Sequence, residues 1–268
     1  MICKICSSAS EHCFSAKVLG KYDVDYYRCS VCQFVQTEDP YWLNEAYSNV
    51  ITKLDIGLIT RNEFVAPIVQ AVINKWFNAE KRFVDYGGGY GMLVRMMRDR
   101  GFDYYRQDLY CENLFAESFD VVDVPPFKVE LLTAFEVFEH LVDPVGELAK
   151  MLTLGSAMLF STSVQPSSDS TPDSWVYFAP DTGQHIAIHS RKSLQTLADR
   201  FNLNYCWNEQ NIHLYSPKPI SNQLFKFITH PRFSKWFNGV TSQRKSLLDK
   251  DFAVAQVRLK DALKQVSV

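Results

Sequence analysis

The stretch Phe83-Val84-Asp85-Tyr86-Gly87-Gly88-Gly89-Tyr90-Gly91-Met92-Leu93 restricts the chain more than any other: a short apolar run enters four glycines within five positions and leaves as an amphipathic helix. Glycine stands where the backbone takes positive φ or lies against a ligand, because a Cβ would fill that space. The following segment, Met92 to Arg100, repeats apolar residues at helical spacing and stops at Gly101, a natural C′ residue. A strand, a glycine turn and a helix in this order present the free N–H groups of the helix to a ligand, the mark of a nucleotide-type cofactor site. The dinucleotide fingerprint G-x-G-x-x-G counted from Gly87 puts Met92 at its last position, so the NAD pattern fails.

Beyond the loop the chain alternates strand and helix, as a doubly wound, mostly parallel α/β sheet of Rossmann type requires. Val65, Ile68, Val69, Val72, Ile73 and Trp76 recur at helical spacing, which predicts a helix over 62–77 before the first strand. Residues 102–107, 129–135 and 156–161 read as strands, and Asp143-Pro144 supplies an N-cap and an N1 proline for a helix to about Leu152. A helix over 193–201 and a segment over 203–213 complete the sheet. From Ser221 the chain reads as a helical tail with Leu248, Phe252, Ala255, Leu259 and Leu263 on one stripe, able to dimerise or to fold back as a lid. The expected division is a cysteine module at 1–40, the cofactor-binding domain at 41–215 and a helical extension at 216–268. Residues 164–182 mix turn formers with Trp175, Tyr177 and Phe178, a composition suited to a substrate-facing loop at the carboxyl edge of the sheet.

The 28 Lys and Arg nearly balance the 30 Asp and Glu, so no global field favours nucleic acid or an anionic membrane; a small-molecule or nucleotide-linked substrate fits better. No apolar run approaches the ~18 residues of a membrane span, and Met1-Ile2-Cys3-Lys4 does not open a signal peptide, which predicts a cytoplasmic protein. Seven cysteines in that compartment point to metal or free thiols. Cys3-x-x-Cys6 and Cys29-x-x-Cys32, 22 residues apart, form two knuckles whose thiolates complete a tetrahedral set for structural Zn²⁺. A closed four-thiolate site supports folding and leaves no open position for catalysis. Cys13 and His12 read as bystanders, and Cys111 and Cys206 as small core residues. The module lacks a basic cluster, which argues against nucleic acid.

The spacing Asp85-x-Gly87-x-Gly89-x-Gly91 after a strand resembles the first motif of the class I S-adenosylmethionine (SAM) methyltransferases. The resemblance implies a cofactor bound by Asp85, Tyr86, Gly87, Gly88 and Gly89, with Asp85 meeting the methionyl ammonium directly or through water. Asp108 follows the second strand, where a doubly wound nucleotide site puts the carboxylate that accepts from ribose hydroxyls. Phe135 ends the strand whose main chain lines the cleft, and Leu109, Phe115 or Phe119 is expected to wall the adenine.

Glu136-Val137-Phe138-Glu139-His140 follows that strand and is similar to the E-V-x-E-H of the same methyltransferases. In a helix, Glu136, Glu139 and His140 share one face. The likeness extends to ubiquinone-pathway O-methyltransferases and small-RNA 2′-O-methyltransferases, where such a set binds a metal, so Mg²⁺ at these three residues is one reading; capping and loop orientation is the other. His185 and His189 fall four apart and share a face in an alternating strand. A hydroxyl or carbon acceptor becomes nucleophilic only as it loses a proton, and an imidazole suits that task at neutral pH. His185, next to the aromatic loop, is the expected base; His189 is expected to pack.

The four-cysteine module, the Asp-x-Gly-x-Gly-x-Gly loop, Glu-Val-x-Glu-His and Gly183-Gln184-His185 together resemble bacterial zinc-module methyltransferases related to the sugar C-methyltransferases of deoxysugar pathways, over residues 1–215. In those enzymes a Glu-His pair holds the base, so the resemblance assigns that role to His185, with Gln184 in place of the acid. It implies a sugar or surface-polysaccharide precursor as acceptor, with O-methylation as compatible as C-methylation, and Trp175, Tyr177 and Phe178 stacking on a sugar face. Two other readings follow from the same motifs: a metal-assisted RNA 2′-O-methyltransferase, and a non-catalytic zinc scaffold with a degenerate cofactor fold.

Overall fold

The computed structural model describes residues 1–48, 51–166, 169–241 and 244–266. In chain order its strands are β1 (Ser10–Val18), β2 (Tyr22–Cys29), β3 (Val35–Thr37), β4 (Arg82–Tyr86), β5 (Asp103–Gln107), β6 (Val129–Phe135), β7 (Met158–Ser161), β8 (Ala187–Ile188), β9 (Asn204–Trp207) and β10 (Ile212–Ser216). Its α-helices are α1 (Leu43–Ala46), α2 (Leu58–Trp76), α3 (Met92–Asp99), α4 (Pro144–Leu154), α5 (Arg191–Arg200), α6 (Asn222–Ile228), α7 (Pro231–Val240) and α8 (Leu248–Val266). Six strands form the sheet expected of an α/β fold, in the order β5-β4-β6-β7-β10-β9. β4 runs parallel to β5 and β6, and β10 is antiparallel to both β7 and β9. Among the described residues no helix is long and apolar enough to cross a membrane.

The contacts gather into two compact units, residues 1–56 with 134–227 and residues 57–133 with 228–268. In the second, Phe83 and Val84 of β4 are fully buried, as are Ile68, Val69, Val72 and Ile73 on the apolar stripe of α2. α3 buries Leu93, Val94 and Met97, and with them Arg98. That guanidinium satisfies its donors internally: Nε and Nη2 bond Asp251 at 2.8 and 2.7 Å, and Nη1 donates to Asp103 and to the Tyr104 carbonyl. Its Cζ lies 3.8 Å from the centre of the Phe119 ring, so of the three residues expected to wall an adenine Phe119 is buried, whereas Leu109 and Phe115 are exposed.

In the first unit β1 and β2 form a hairpin, and β3 continues that sheet to β8 through Val35 opposite Ile188. All three residues of β3 are buried, so a partner on each side satisfies its backbone. Asp143 caps α4 by accepting from Gly146 N–H, with Pro144 at the first helical position, as the sequence predicts. The expected single closing segment over 203–213 is instead the hairpin β9–β10. Asn208 turns it by accepting from the Gln210 and Ile212 amides, and Glu209 takes φ 65°.

Candidate active site

The glycine loop is shaped by its backbone. Gly87, Gly89 and Gly91 take φ of 66°, 52° and 81°, in the left-handed region. Gly88 does not, yet a Cβ there would stand 2.9 Å from Cγ of Arg106 and 3.0 Å from a carboxylate oxygen of Asp85. Asp108 accepts from the Gly89 amide at 2.9 Å with one oxygen, and from the Tyr110 and Cys111 amides at 2.8 Å with the other. Three backbone donors therefore fix the carboxylate that the sequence assigns to a ribose. Asp85 is buried at the end of β4, where the Thr133 hydroxyl donates to it at 2.6 Å. Burial, reinforced by the nearby Asp108 charge, pushes its pKa up to about 7.

Arg106, which motif spacing does not single out, organises this loop. Its Nη1 donates to the carbonyls of Gly89 (2.6 Å) and Cys111 (2.7 Å), while Nε pairs with Asp120 at 2.6 Å. The one signal available in the sequence is an arginine following Tyr104 and Tyr105 in a strand whose other polar residues, Asp103 and Gln107, stand at its ends.

In the other unit, Glu136, Glu139 and His140 do not share a helix face. Glu136 takes φ 54° straight after β6, and only one 3₁₀ turn, Phe138–His140, follows. A left-handed residue cannot enter a right-handed helix, so the expected face is lost. Glu136 instead accepts from the Ser161 hydroxyl at 2.5 Å. What comes together is Glu139, His140 and His185, whose ligand atoms all lie within 4.8 Å of one another. The contact is built by backbone: the Ile186 amide donates to the Glu139 carbonyl, bringing the residue after His185 onto the 3₁₀ turn.

Backbone carbonyls orient both imidazoles of this cluster. His140 Nδ1 lies 3.0 Å from the Gln184 carbonyl, and His185 Nδ1 lies 2.5 Å from the Tyr177 carbonyl. A ring nitrogen facing a carbonyl carries its proton there, leaving Nε2 with the lone pair. The imidazole rings of His140 and His185 meet edge to face at 4.9 Å. Burial lowers the pKa of His185, so it is neutral at neutral pH. The Tyr177 hydroxyl donates to Glu139 at 2.6 Å, and the second Glu139 oxygen is buried with no donor within hydrogen-bond distance. Burial raises the Glu139 pKa.

Other sequence expectations divide. β8 spans only Ala187–Ile188, so His185 and His189 do not share a strand. His189 is fully buried, faces the Phe138 carbonyl through Nε2 at 3.3 Å and has its pKa lowered by burial to about 4, a packing role as expected. Gln184 is not an acid's substitute beside His185: its amide donates to the Ala46 carbonyl at 2.9 Å. Of the aromatic loop 164–182, Ser167 and Ser168 lie outside the described residues. Phe178 is core, edge-on to Phe14 and Tyr26, which removes it as a stacking surface; Trp175 stacks on Tyr177 at 5.0 Å.

The four knuckle cysteines converge. Their sulfurs lie within 4.8 Å of one another, with Cys3 to Cys32 at 3.6 Å and Cys6 to Cys29 at 3.4 Å. Amides of Ile5, Val31 and Cys32 point at Cys3 and Cys29 sulfur from 3.4 Å. Zn–S bonds of about 2.3 Å in a tetrahedron need sulfurs a little under 4 Å apart, so the set fits zinc. Gln36 braces the first knuckle by accepting from Lys4 N–H and donating to the Ile2 carbonyl. Cys206, which donates to the Ile220 carbonyl, and Cys13, which donates to Tyr26, stand apart from the tetrad.

A mostly parallel α/β sheet of Rossmann type with a glycine loop after β4, in a chain that also carries a four-cysteine cluster, defines the class of fold. The family model for a methyltransferase domain matches residues 59–206, more than half of the chain, and the chain belongs to that family. Solved structures similar to it include an O-methyltransferase family 2 protein from Planctomyces limnophilus in complex with apigenin, at 12% identity and TM-score 0.45, covering 66% of this chain and 62% of that one. Another is the plantazolicin methyltransferase BpumL in complex with SAH, at 12% identity and TM-score 0.44, covering 75% and 85%. No curated protein matches the chain.

Proposed function

We propose that the chain methylates a small polar acceptor, a sugar or nucleotide-linked sugar of the kind used in surface polysaccharides, with His185 as the base. SAM, when bound, supplies a methyl group on a sulfonium, an electrophile that needs no further activation. On this reading Asp85 meets the methionyl ammonium, Asp108 accepts from the ribose hydroxyls, and Tyr86, Gly87, Gly88, Gly89 and Phe135 line the cofactor. A buried carboxyl with one hydroxyl donor gains a counter-charge from an ammonium, which supports the first of these roles. Cys3, Cys6, Cys29 and Cys32 hold structural zinc, apart from the chemistry.

The observation that carries the reading is the tethering of His185. Its Nδ1–H faces the Tyr177 carbonyl, so Nε2 is the basic nitrogen, and its lowered pKa keeps that nitrogen unprotonated at neutral pH. His185 Nε2 would take the acceptor's proton as the acceptor gains the methyl group that bound SAM would supply, the sulfonium sulfur keeping the electron pair of the broken bond. His185→Gln is expected to keep SAM binding by calorimetry and to lower kcat by roughly 10²–10⁴-fold in a mass-spectrometric screen over nucleotide sugars. Equal turnover removes His185 as the base.

A second reading rests on the enclosed Glu139 oxygen and the two neighbouring imidazoles, a set that a divalent cation would satisfy, as in metal-assisted 2′-O-methylation of RNA. Chelation followed by add-back of Mg²⁺ or Mn²⁺ alone, with retained zinc measured in parallel, separates the two. Activity that returns only with the added cation supports the metal; activity unaffected throughout supports the base.

A further inference from the structure

Residues 228–268 carry eight Lys and Arg against three Asp, a net charge of +5 in a chain whose total is −2, so the rest carries −7. The near-neutral total conceals two regions of opposite sign. From the start of α7 to the end of α8, seven of the cations are exposed (Arg232, Lys235, Lys245, Lys250, Arg258, Lys260 and Lys264), against two exposed carboxylates, Asp249 and Asp261. The third acid, Asp251, is buried against Arg98 and Arg95.

α7 meets α2 through polar contacts and leaves apolar residues exposed beside its cations. Asn238 donates to the Pro67 carbonyl at 2.8 Å, and Thr241, just past the helix end, accepts from Asn74. Ser234 is fully buried. Its exposed residues include Trp236 (58%) and Val240 (63%), with the Phe233 ring packed on Trp236 at 5.0 Å. α8 repeats the pattern: Leu248, Phe252, Leu259 and Leu263 fall on one stripe and are each 55–63% exposed. A soluble surface ordinarily turns such faces inward.

We propose that α7 and α8 form a docking surface for an anionic lipid bilayer, with Trp236, Phe252 and the α8 leucines entering the headgroup boundary and the exposed lysines pairing with lipid phosphate or carboxylate. Basic residues interleaved with aromatic and aliphatic ones are the composition of helices that lie in the membrane interface. A nucleic acid would use the cations and gain little from exposed leucines and valines.

The test is co-sedimentation of the full chain with vesicles of phosphatidylcholine alone and of phosphatidylcholine with phosphatidylserine, in low and high salt. Binding about tenfold tighter to the anionic vesicles and lost in high salt is expected. Lys235→Glu with Lys260→Glu, two exposed substitutions that leave packing untouched, is expected to lower that binding about tenfold with an unchanged melting temperature. Trp236→Ser with Phe252→Ser is expected to lower it at constant charge. No vesicle binding, equal binding to both vesicle types, or full binding by the lysine variant overturns the proposal. So does a preference for duplex RNA over vesicles, or a dimer in sedimentation that the Trp236 and Phe252 changes abolish without vesicle binding.

Discussion

Asp85 shows how far one position can be read. Its place before three glycines is visible in the sequence, but its titration is set by burial and by Thr133, a residue on another strand. Unfolded, its pKa lies near 3.8; folded, it rises to about 7. The folded state therefore holds a proton that the unfolded chain releases, and the associated stability, complete below the unfolded pKa, is lost as pH rises through 7. That loss amounts to roughly 2–3 kcal/mol between pH 5 and pH 8. Asp85→Asn is expected to flatten this slope in melting curves and to bind SAM weakly at both pH values; an unchanged slope would show that the group titrates normally. Arg106, on the adjoining strand, was not legible, because its partners Gly89, Cys111 and Asp120 define its role and none is fixed by local spacing.

At the scale of elements, periodicity located α2, α3 and α4 and the strands around the loop, because each buries a regular stripe or run. It failed where a single backbone angle decides. Glu136 at positive φ turns an expected helix face into one 3₁₀ turn, and Asn208 divides one segment into a hairpin. The start of α8 is held by a buried ion pair that no pattern announces: Asp251 with Arg98 and Arg95. Removing one partner of such a pair leaves a buried charge uncompensated. Asp251→Asn is expected to destabilise the protein by about 3 kcal/mol in urea and to speed amide exchange over α8. A loss within the ordinary range of surface substitutions would mean that Arg98 is satisfied by Asp103 and the Tyr104 carbonyl alone.

For the molecule as a whole, the cysteine tetrad ties both ends of residues 3–32 to one point, as the knuckle spacing predicts. Purified protein is expected to contain one zinc per chain, and chelation or Cys29→Ser to lower the melting temperature and expose amides of β1 and β2, because metal affinity is folding free energy in such a module. A protein free of zinc and equally stable would make the tetrad a set of packed thiols. By itself the sequence determined the glycine loop, the paired knuckles and the alternation of strand and helix, since each depends on residues close together in the chain and on one repeating spacing. The tertiary structure alone decided that His185 meets Glu139 and His140, that Phe178 is core, that β3 takes β8 as its partner and that α7 leaves Trp236 exposed. Those outcomes link segments far apart in sequence, and which faces meet is set by packing and by the burial of polar groups, which no local pattern encodes.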